Sequence, residues 1–325
     1  MSFAGRRPML IKELPPTARS SANVRGQRSR DNTPLSWNEF FDDCCSVDVD
    51  GDTFNVYRKV CHGSLINAYA PEGTSGPVFY LLHGGGYSGL TWACLTAELS
   101  SRIQCQILAP DLRGHGQTRV KDKSDLSAQQ QTRHNGKKLY WVPRALSVLS
   151  SLPPLHMYGD SNPHVLINLN KYYFYCSMGG ALAIHVAATT EIPNMVGLVV
   201  IDVVEGSAMD ALSGMYTWRI DLTTTEPFWV GWFQGLSSKF LSCLPPKLLV
   251  LAGIDRLDKE LTIAQMQGKF QNTILPKVGH AVQEDSPDRL ADELARFAIR
   301  NRFAEALPGV NIAAARPMMG MGMMI

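Results

Sequence analysis

Val78-Phe-Tyr-Leu-Leu-His-Gly-Gly-Gly86 begins with an unbroken apolar run and ends on three glycines. A short apolar run with no polar alternation is the signature of a strand buried on both faces. The pattern recurs at Cys105-Gln-Ile-Leu-Ala109, from Met195 to Ile201 and from Lys247 to Ala252, each run stopping near a Gly or Asp. Helical patterns separate them, so the fold class is α/β, a doubly wound, mostly parallel sheet covered on both faces. The strongest helix signal is Pro287 to Phe303. Ser286 suits the N-cap, Pro287 the first helical position, and Leu290, Leu294 and Phe297 form one stripe. Upstream, Phe40 to Val60 reads as a hairpin turning at Asp50-Gly51-Asp52.

Composition narrows the function classes. The chain has 325 residues and is 45% hydrophobic, enough for a sizeable core. Its 31 basic and 29 acidic residues leave a formal +2, which advertises neither nucleic acid nor an anionic membrane as partner. No apolar stretch approaches the length of a transmembrane helix. The 7 cysteines are odd in number and form no CxxC, which points to reduced thiols inside the cell; cytoplasm and nucleus are the expected compartments. Residues 1–33 are Arg/Ser-rich without an amphipathic period and read as a disordered basic tail rather than a transit peptide. The α/β domain is expected over residues 34–305, and residues 306–325 read as a Met/Gly-rich tail. Asp48-Val-Asp-Gly-Asp52 is reminiscent of a calcium loop, but its glycine is misplaced and the closing glutamate is missing. No metal and no cofactor are expected.

Three features fall in an order that chemistry can use. His83-Gly-Gly-Gly86 after a strand can turn sharply and bring bare N–H groups against a ligand oxygen. Ser177-Met-Gly-Gly180 opens the small-residue helix Ala181-Leu-Ala-Ile-His-Val-Ala-Ala188, which would perch a serine hydroxyl between strand and helix. Gly279-His280 follows the apolar stretch Phe270–Leu275, where a loop histidine can reach over the serine. Acid candidates lie between them, giving the chain order Ser…Asp…His of α/β-hydrolases. Asp202 ends one strand; Asp255 and Asp258 follow the next, and position alone slightly favours Asp255.

His83-Gly-Gly-Gly-Tyr-Ser88, Leu112-Arg-Gly-His-Gly116, Ser177-Met-Gly-Gly-Ala181, Ile201-Asp-Val-Val-Glu-Gly-Ser-Ala-Met-Asp-Ala-Leu212, Tyr216-Thr-Trp-Arg-Ile220, Leu257-Asp-Lys-Glu-Leu-Thr-Ile263, Gln265-Met-Gln-Gly-Lys-Phe270 and Gly279-His-Ala-Val282 closely resemble the protein phosphatase methylesterase family. The resemblance runs with interruptions from about Pro34 to Glu305, and Ile201–Leu212 and Leu257–Phe270 are its most specific parts. It implies an α/β-hydrolase fold and removal of the methyl ester from the C-terminal leucine of the protein phosphatase 2A catalytic subunit. It also implies a Ser177–Asp202–His280 triad, and so reverses the slight preference for Asp255. Gly84, Gly85 and Met178 would supply the oxyanion hole, with Trp218 and Met266 in substrate binding. The partner is the phosphatase tail, with no nucleic acid and no membrane.

The chain departs from the family in three places. After Val165-Leu-Ile167, the residues Asn168-Leu-Asn-Lys-Tyr-Tyr-Phe-Tyr-Cys176 stand where the family has Gly-His, so Tyr175 takes the first glycine of Gly-x-Ser-x-Gly. Gln131 to Leu155 lacks the family pattern, and Met215 joins Tyr216 without the longer cap segment. Insertions plus a clean deletion are what mis-joined exons leave. The remaining cap, about residues 213–243, is reduced and aromatic: Tyr216, Trp218, Phe228, Trp229, Trp232 and Phe233. These rings read as packing over the sheet or as a wall of a peptide groove. If Val165–Ile167 holds the strand, Ser177 loses its aim; if Tyr172–Cys176 does, the elbow survives. The expectation is weak activity, restored when Asn168–Cys176 becomes Gly-His. Two other functions stay open: a catalytically impaired phosphatase-binding protein and a general small-ester carboxylesterase.

Overall fold

The computed structural model describes residues 35–49, 51–61, 77–122, 125–128, 171–176, 178–188, 195–203, 222–253 and 257–312. Ser177, Trp218, Asp255, Val165–Ile167, the expected N-terminal tail and residues 313–325 of the expected C-terminal tail lie outside the described residues.

The strands are β1 (Asp43–Val49), β2 (Asp52–Cys61), β3 (Val78–Leu82), β4 (Cys105–Pro110), β5 (Lys171–Cys176), β6 (Met195–Ile201), β7 (Lys247–Leu251) and β8 (Gln271–Ile274). Among the described residues the α-helices are α1 (Ala93–Ser100), α2 (Met178–Ala187), α3 (Trp229–Phe233), α4 (Leu236–Ser242), α5 (Lys259–Met266), α6 (Val282–Asp285) and α7 (Pro287–Arg300). One 8-stranded sheet runs in the order β1-β2-β4-β3-β5-β6-β7-β8. The hairpin β1–β2 is antiparallel, β2 joins β4 antiparallel, and every later pairing is parallel.

The apolar runs explain why the sheet is covered twice. Along β3, Val78, Tyr80 and Leu82 face one core cluster, and Phe79 and Leu81 the other. Leu198 and Val200 of β6 join the first cluster, Val199 and Ile201 the second. Successive side chains point to opposite faces of a strand, so a strand with both faces buried must be apolar throughout. The first cluster is closed by α2, α3, α4 and α5 through Ile184, Trp232, Phe240 and Leu261. The second is closed by α1, α6 and α7 through Leu95, Val282, Leu290, Leu294 and Phe297. Each fully buried Leu or Phe contributes about 1.5–3 kcal/mol relative to exposure. In α7 the expected stripe is the buried one, although the Ser286 hydroxyl donates to the Asp288 carboxylate at 3.2 Å instead of capping the helix.

Of the two runs that could form the strand ahead of Ser177, the tyrosine-rich one is the strand in the structure. The strand between β3 and β6 is Lys171–Cys176, with Leu82 opposite Tyr175 on one side and Ile201 opposite Cys176 on the other. A tyrosine-rich run has high β propensity, and it lies directly ahead of α2 in the chain, with one register shift against β6 between Lys171 and Tyr172. The two short cap helices α3 and α4 lie within the expected cap; Trp232 and Phe233 are buried in the first core cluster, so these two rings serve packing.

Candidate active site

In a parallel sheet, ligands collect at the carboxyl ends of the strands. Here β3, β5, β6 and β8 end side by side, or nearly so, and the loops after them carry the residues singled out from sequence. β5 stops at Cys176 and α2 starts at Met178, so the chain position between strand and helix belongs to Ser177. The first amides of a helix have no intrahelical acceptor, which makes the Met178 N–H an available donor. α2 is pressed hard against the end of β3: a Cβ at Gly179 would stand 2.6 Å from the carbonyl oxygens of both Leu82 and His83. Only glycine permits that approach.

After β6 the backbone of Asp202 adopts φ +52°, the left-handed region that non-glycine residues enter rarely and Asp more readily than most. The Asp202 side chain is fully buried and gripped from two sides. Its Oδ1 accepts from the Ala252 N–H at 2.9 Å, and its Oδ2 lies 2.8 Å from His280 Nδ1, which donates to it. His280 sits between β8 and α6 with its side chain 41% exposed. An imidazole held at Nδ1 by a carboxylate presents Nε2 outward as a base. The loop bearing it is pinned as well. The Gly279 N–H donates to the Asp285 carboxylate at 2.6 Å, and Gln283, buried in α6, donates to the Thr91 hydroxyl at 2.9 Å. Thr91 in turn donates to Glu284. Thr91 stands in the short helix Gly89–Trp92 that follows the glycine turn, so the two loops are tied together.

The turn after β3 folds back through a Tyr87 N–H to Gly84 carbonyl bond of 3.3 Å, with Gly86 at φ +83°. Two histidines frame it. His83 is wholly buried; burial first, and then the neighbouring His115, push its pKa down to about 3. His115 is lowered as well, mainly by burial. A third buried group, the carboxylate of Asp111, accepts the Gly89 N–H at 2.7 Å, the Gln117 N–H at 2.8 Å and the Asn55 amide at 3.0 Å.

Of the residues named from sequence, Asp202 and His280 come together, and Gly84, Gly85 and Met178 stand at a turn and a helix start beside adjacent strand ends. Met266 is 85% exposed at the end of α5. Asp258 is occupied as the N-cap of α5, accepting from the Leu261 N–H at 2.8 Å. The sequence does not single out His83, His115 or Asp111 as functional groups; their signals are the histidines beside glycine in His83-Gly-Gly-Gly86 and Gly114-His-Gly116. Among the described residues, no group of His, Cys, Asp or Glu is arranged to hold a metal, and no helix is long and apolar enough to cross a membrane.

Comparison with known proteins extends this. The model of the alpha/beta hydrolase family matches residues 79–215. A Caenorhabditis elegans protein named "Probable protein phosphatase methylesterase 1" is 44% identical, over 88% of this chain and 82% of its own. Protein phosphatase methylesterase 1 of Mus musculus is 38% identical, over 87% of this chain and 89% of its own. This chain belongs to the protein phosphatase methylesterase 1 family. It is therefore an enzyme of the serine carboxylesterase class. The solved structure of E-2-(acetamidomethylene)succinate hydrolase matches with a TM-score of 0.56 at 18% identity, covering 79% of this chain and 98% of that one, a likeness of fold alone. The strand ahead of position 177, Lys171–Cys176, pairs with both β3 and β6.

Proposed function

We propose that this chain hydrolyses the methyl ester on the C-terminal leucine carboxylate of the protein phosphatase 2A catalytic subunit, using Ser177, His280 and Asp202. The observation that carries the mechanism is the 2.8 Å contact from His280 Nδ1 to the buried Asp202 carboxylate, beside the strand-to-helix junction at position 177. Kinship with methylesterases carries the choice of ester. His280 Nε2 takes the Ser177 proton as Oγ attacks the ester carbonyl, and the carbonyl electron pair moves onto oxygen. The N–H of Met178 and those of Gly84 and Gly85 receive that oxyanion, each donor lowering the barrier by about 3–4 kcal/mol. As the intermediate collapses, His280 returns the proton to the departing methoxide, and methanol leaves. Water then repeats the cycle on the acyl-enzyme and releases the leucine carboxylate. Asp202 keeps the Nδ1–H tautomer and stabilises the imidazolium. Methanol is too small a leaving group to be recognised, so selectivity resides on the leucine side, with Trp218 and Met266 as the proposed contacts.

The test is a fluorophosphonate probe together with a peptide ending in leucine methyl ester. Labelling that disappears in Ser177→Ala, with methanol released from the peptide faster than a phenol is released from a simple aryl ester, is expected. Folded protein that takes no label would instead be a phosphatase-binding protein, and preference for the aryl ester would make it a general carboxylesterase.

A further inference from the structure

Three consecutive glycines after a strand make a pliable oxyanion loop, because glycine visits most of φ/ψ space at little cost. Oxyanion stabilisation requires the opposite, donors already aimed before the charge develops. The structure supplies the missing rigidity from outside the loop. The Gly86 N–H donates to His115 Nε2 at 3.1 Å. The Gly84 and Gly85 amides have no hydrogen-bond partner among the described residues. His115 is itself oriented, since its Nδ1 lies 2.8 Å from the Arg113 carbonyl. A carbonyl can only accept and an amide N–H can only donate, so His115 is the neutral Nδ1–H tautomer. His83 repeats the arrangement at the other end of the turn. Its Nδ1–H donates to the Gly84 carbonyl at 2.8 Å, and its Nε2 accepts the Leu112 N–H at 2.9 Å. The two rings meet edge to face with centroids 5.0 Å apart. One imidazole thus fixes the carbonyl that begins the turn, and the other fixes the amide near its end.

We infer that His115 is a positioning residue for ester hydrolysis: by holding the Gly86 amide it sets the plane of the Gly85–Gly86 peptide and keeps the Gly84 and Gly85 amides aimed at the oxyanion. The inference rests on the esterase reading above and deepens it. His115 reaches the reacting atoms only through the loop. Burial supports the assignment, since it disfavours the charged imidazolium, whose Nε2–H would oppose the Gly86 N–H. The choice of amide also follows from bookkeeping. Of three glycine donors, the one bound to His115 is spoken for, and the two that remain flank the proposed oxyanion.

The experiment compares three substitutions on the full chain with the leucine methyl ester peptide. His115→Leu fills the space without an acceptor. His115→Asn keeps a donor toward the Arg113 carbonyl but cannot reach Gly86, and it serves if the leucine variant fails to fold. His115→Gln places Oε1 near the position of Nε2 and restores the acceptor. His115→Leu and His115→Asn should lower kcat by about tenfold to a hundredfold, the cost of a misaimed group, with KM changed less than about twofold. His115→Gln should recover most of the loss. Hydrogen exchange at the Gly86 amide should speed up in the first two variants and slow again in the third. An active wild type whose kcat is indifferent to His115→Asn, or a glutamine variant as poor as asparagine, overturns the inference and leaves the esterase reading standing. A wild type that hydrolyses no ester overturns both.

Discussion

Asp202 carries two burdens at once, a carboxylate shared between the Ala252 N–H and His280, and a backbone at φ +52°. Residues held in sparsely populated backbone regions cost about 1–3 kcal/mol and gather at functional sites. This separates a good variant from a poor one. Asp202→Ala confounds loss of the carboxylate with a side chain unsuited to the left-handed region, whereas asparagine tolerates that region nearly as well as aspartate. Asp202→Asn should therefore melt close to wild type and yet lose about a thousandfold to ten-thousandfold in kcat, because an amide no longer dictates the His280 tautomer. Retention of more than a tenth of wild-type kcat would remove Asp202 from the mechanism. The buried histidines make a second prediction, on stability. His83 has a folded pKa of about 3 against an ordinary value near 6.5, so between those limits the unfolded chain binds more protons. The stabilisation is complete above about pH 6.5 and is lost as pH falls toward 3, at most about 1.4 kcal/mol per pH unit for each such histidine. His115 is lowered in the same direction. Urea midpoints should drop between about pH 7.5 and about pH 5, and less steeply in His115→Gln, which has one fewer titrating ring. Equal midpoints at both pH values would contradict the burial of neutral imidazoles.

Between elements, the decisive contact is the start of α2 against the end of β3. A methyl group at Gly179 would meet two carbonyl oxygens at 2.6 Å, and carbonyls at the end of a central strand cannot yield as a flexible side chain can. Gly179→Ala should push α2 away from the glycine turn, costing about 1–3 kcal/mol of stability. It should also cut kcat beyond what partial unfolding explains, since the Met178 amide moves with the helix. A variant with wild-type kcat in its folded fraction would show that this spacing does not matter to the chemistry. The same contact marks what the sequence could reveal. The buried strands β3, β6 and β7 are legible because a strand covered on both faces must be apolar throughout, and Val78–Leu82, Met195–Ile201 and Lys247–Leu251 are nearly so. The hairpin at Gly51 and the stripe of α7 are legible for equally local reasons. Gly179 reads as a small residue beneath a serine, yet the carbonyls it accommodates come from a strand about a hundred residues earlier. Asp111 and the two framing histidines are opaque for the same reason. Buried polar groups announce themselves only through partners, and Gly89, Gln117 and Asn55 are brought to Asp111 by the fold alone.

At the scale of the whole molecule, the question is which run fills the slot at the centre of the sheet. Two β-forming runs compete for one slot, Val165–Ile167 and Tyr172–Cys176, and the winner must pair with both β3 and β6 and deliver its end to α2. Lys171–Cys176 does all three, with five paired positions along β3 from Val78 to Leu82. The earlier run would have to reach the same helix across the nine residues Asn168–Cys176, a loop at the carboxyl edge of the sheet where the oxyanion turn already stands. Replacing Asn168–Cys176 by Gly-His hands the slot to Val165–Ile167 and restores glycine where Tyr175 now stands. Both versions then place a strand directly ahead of Ser177, so the natural chain should hydrolyse the leucine methyl ester within about tenfold of the Gly-His version. The residual difference is the strain of a bulky residue at the elbow, about 1 kcal/mol, the lower end of what such backbone positions cost. A gain beyond a hundredfold on replacement would mean that Val165–Ile167 keeps the strand in solution and that the tyrosine run leaves Ser177 misaimed.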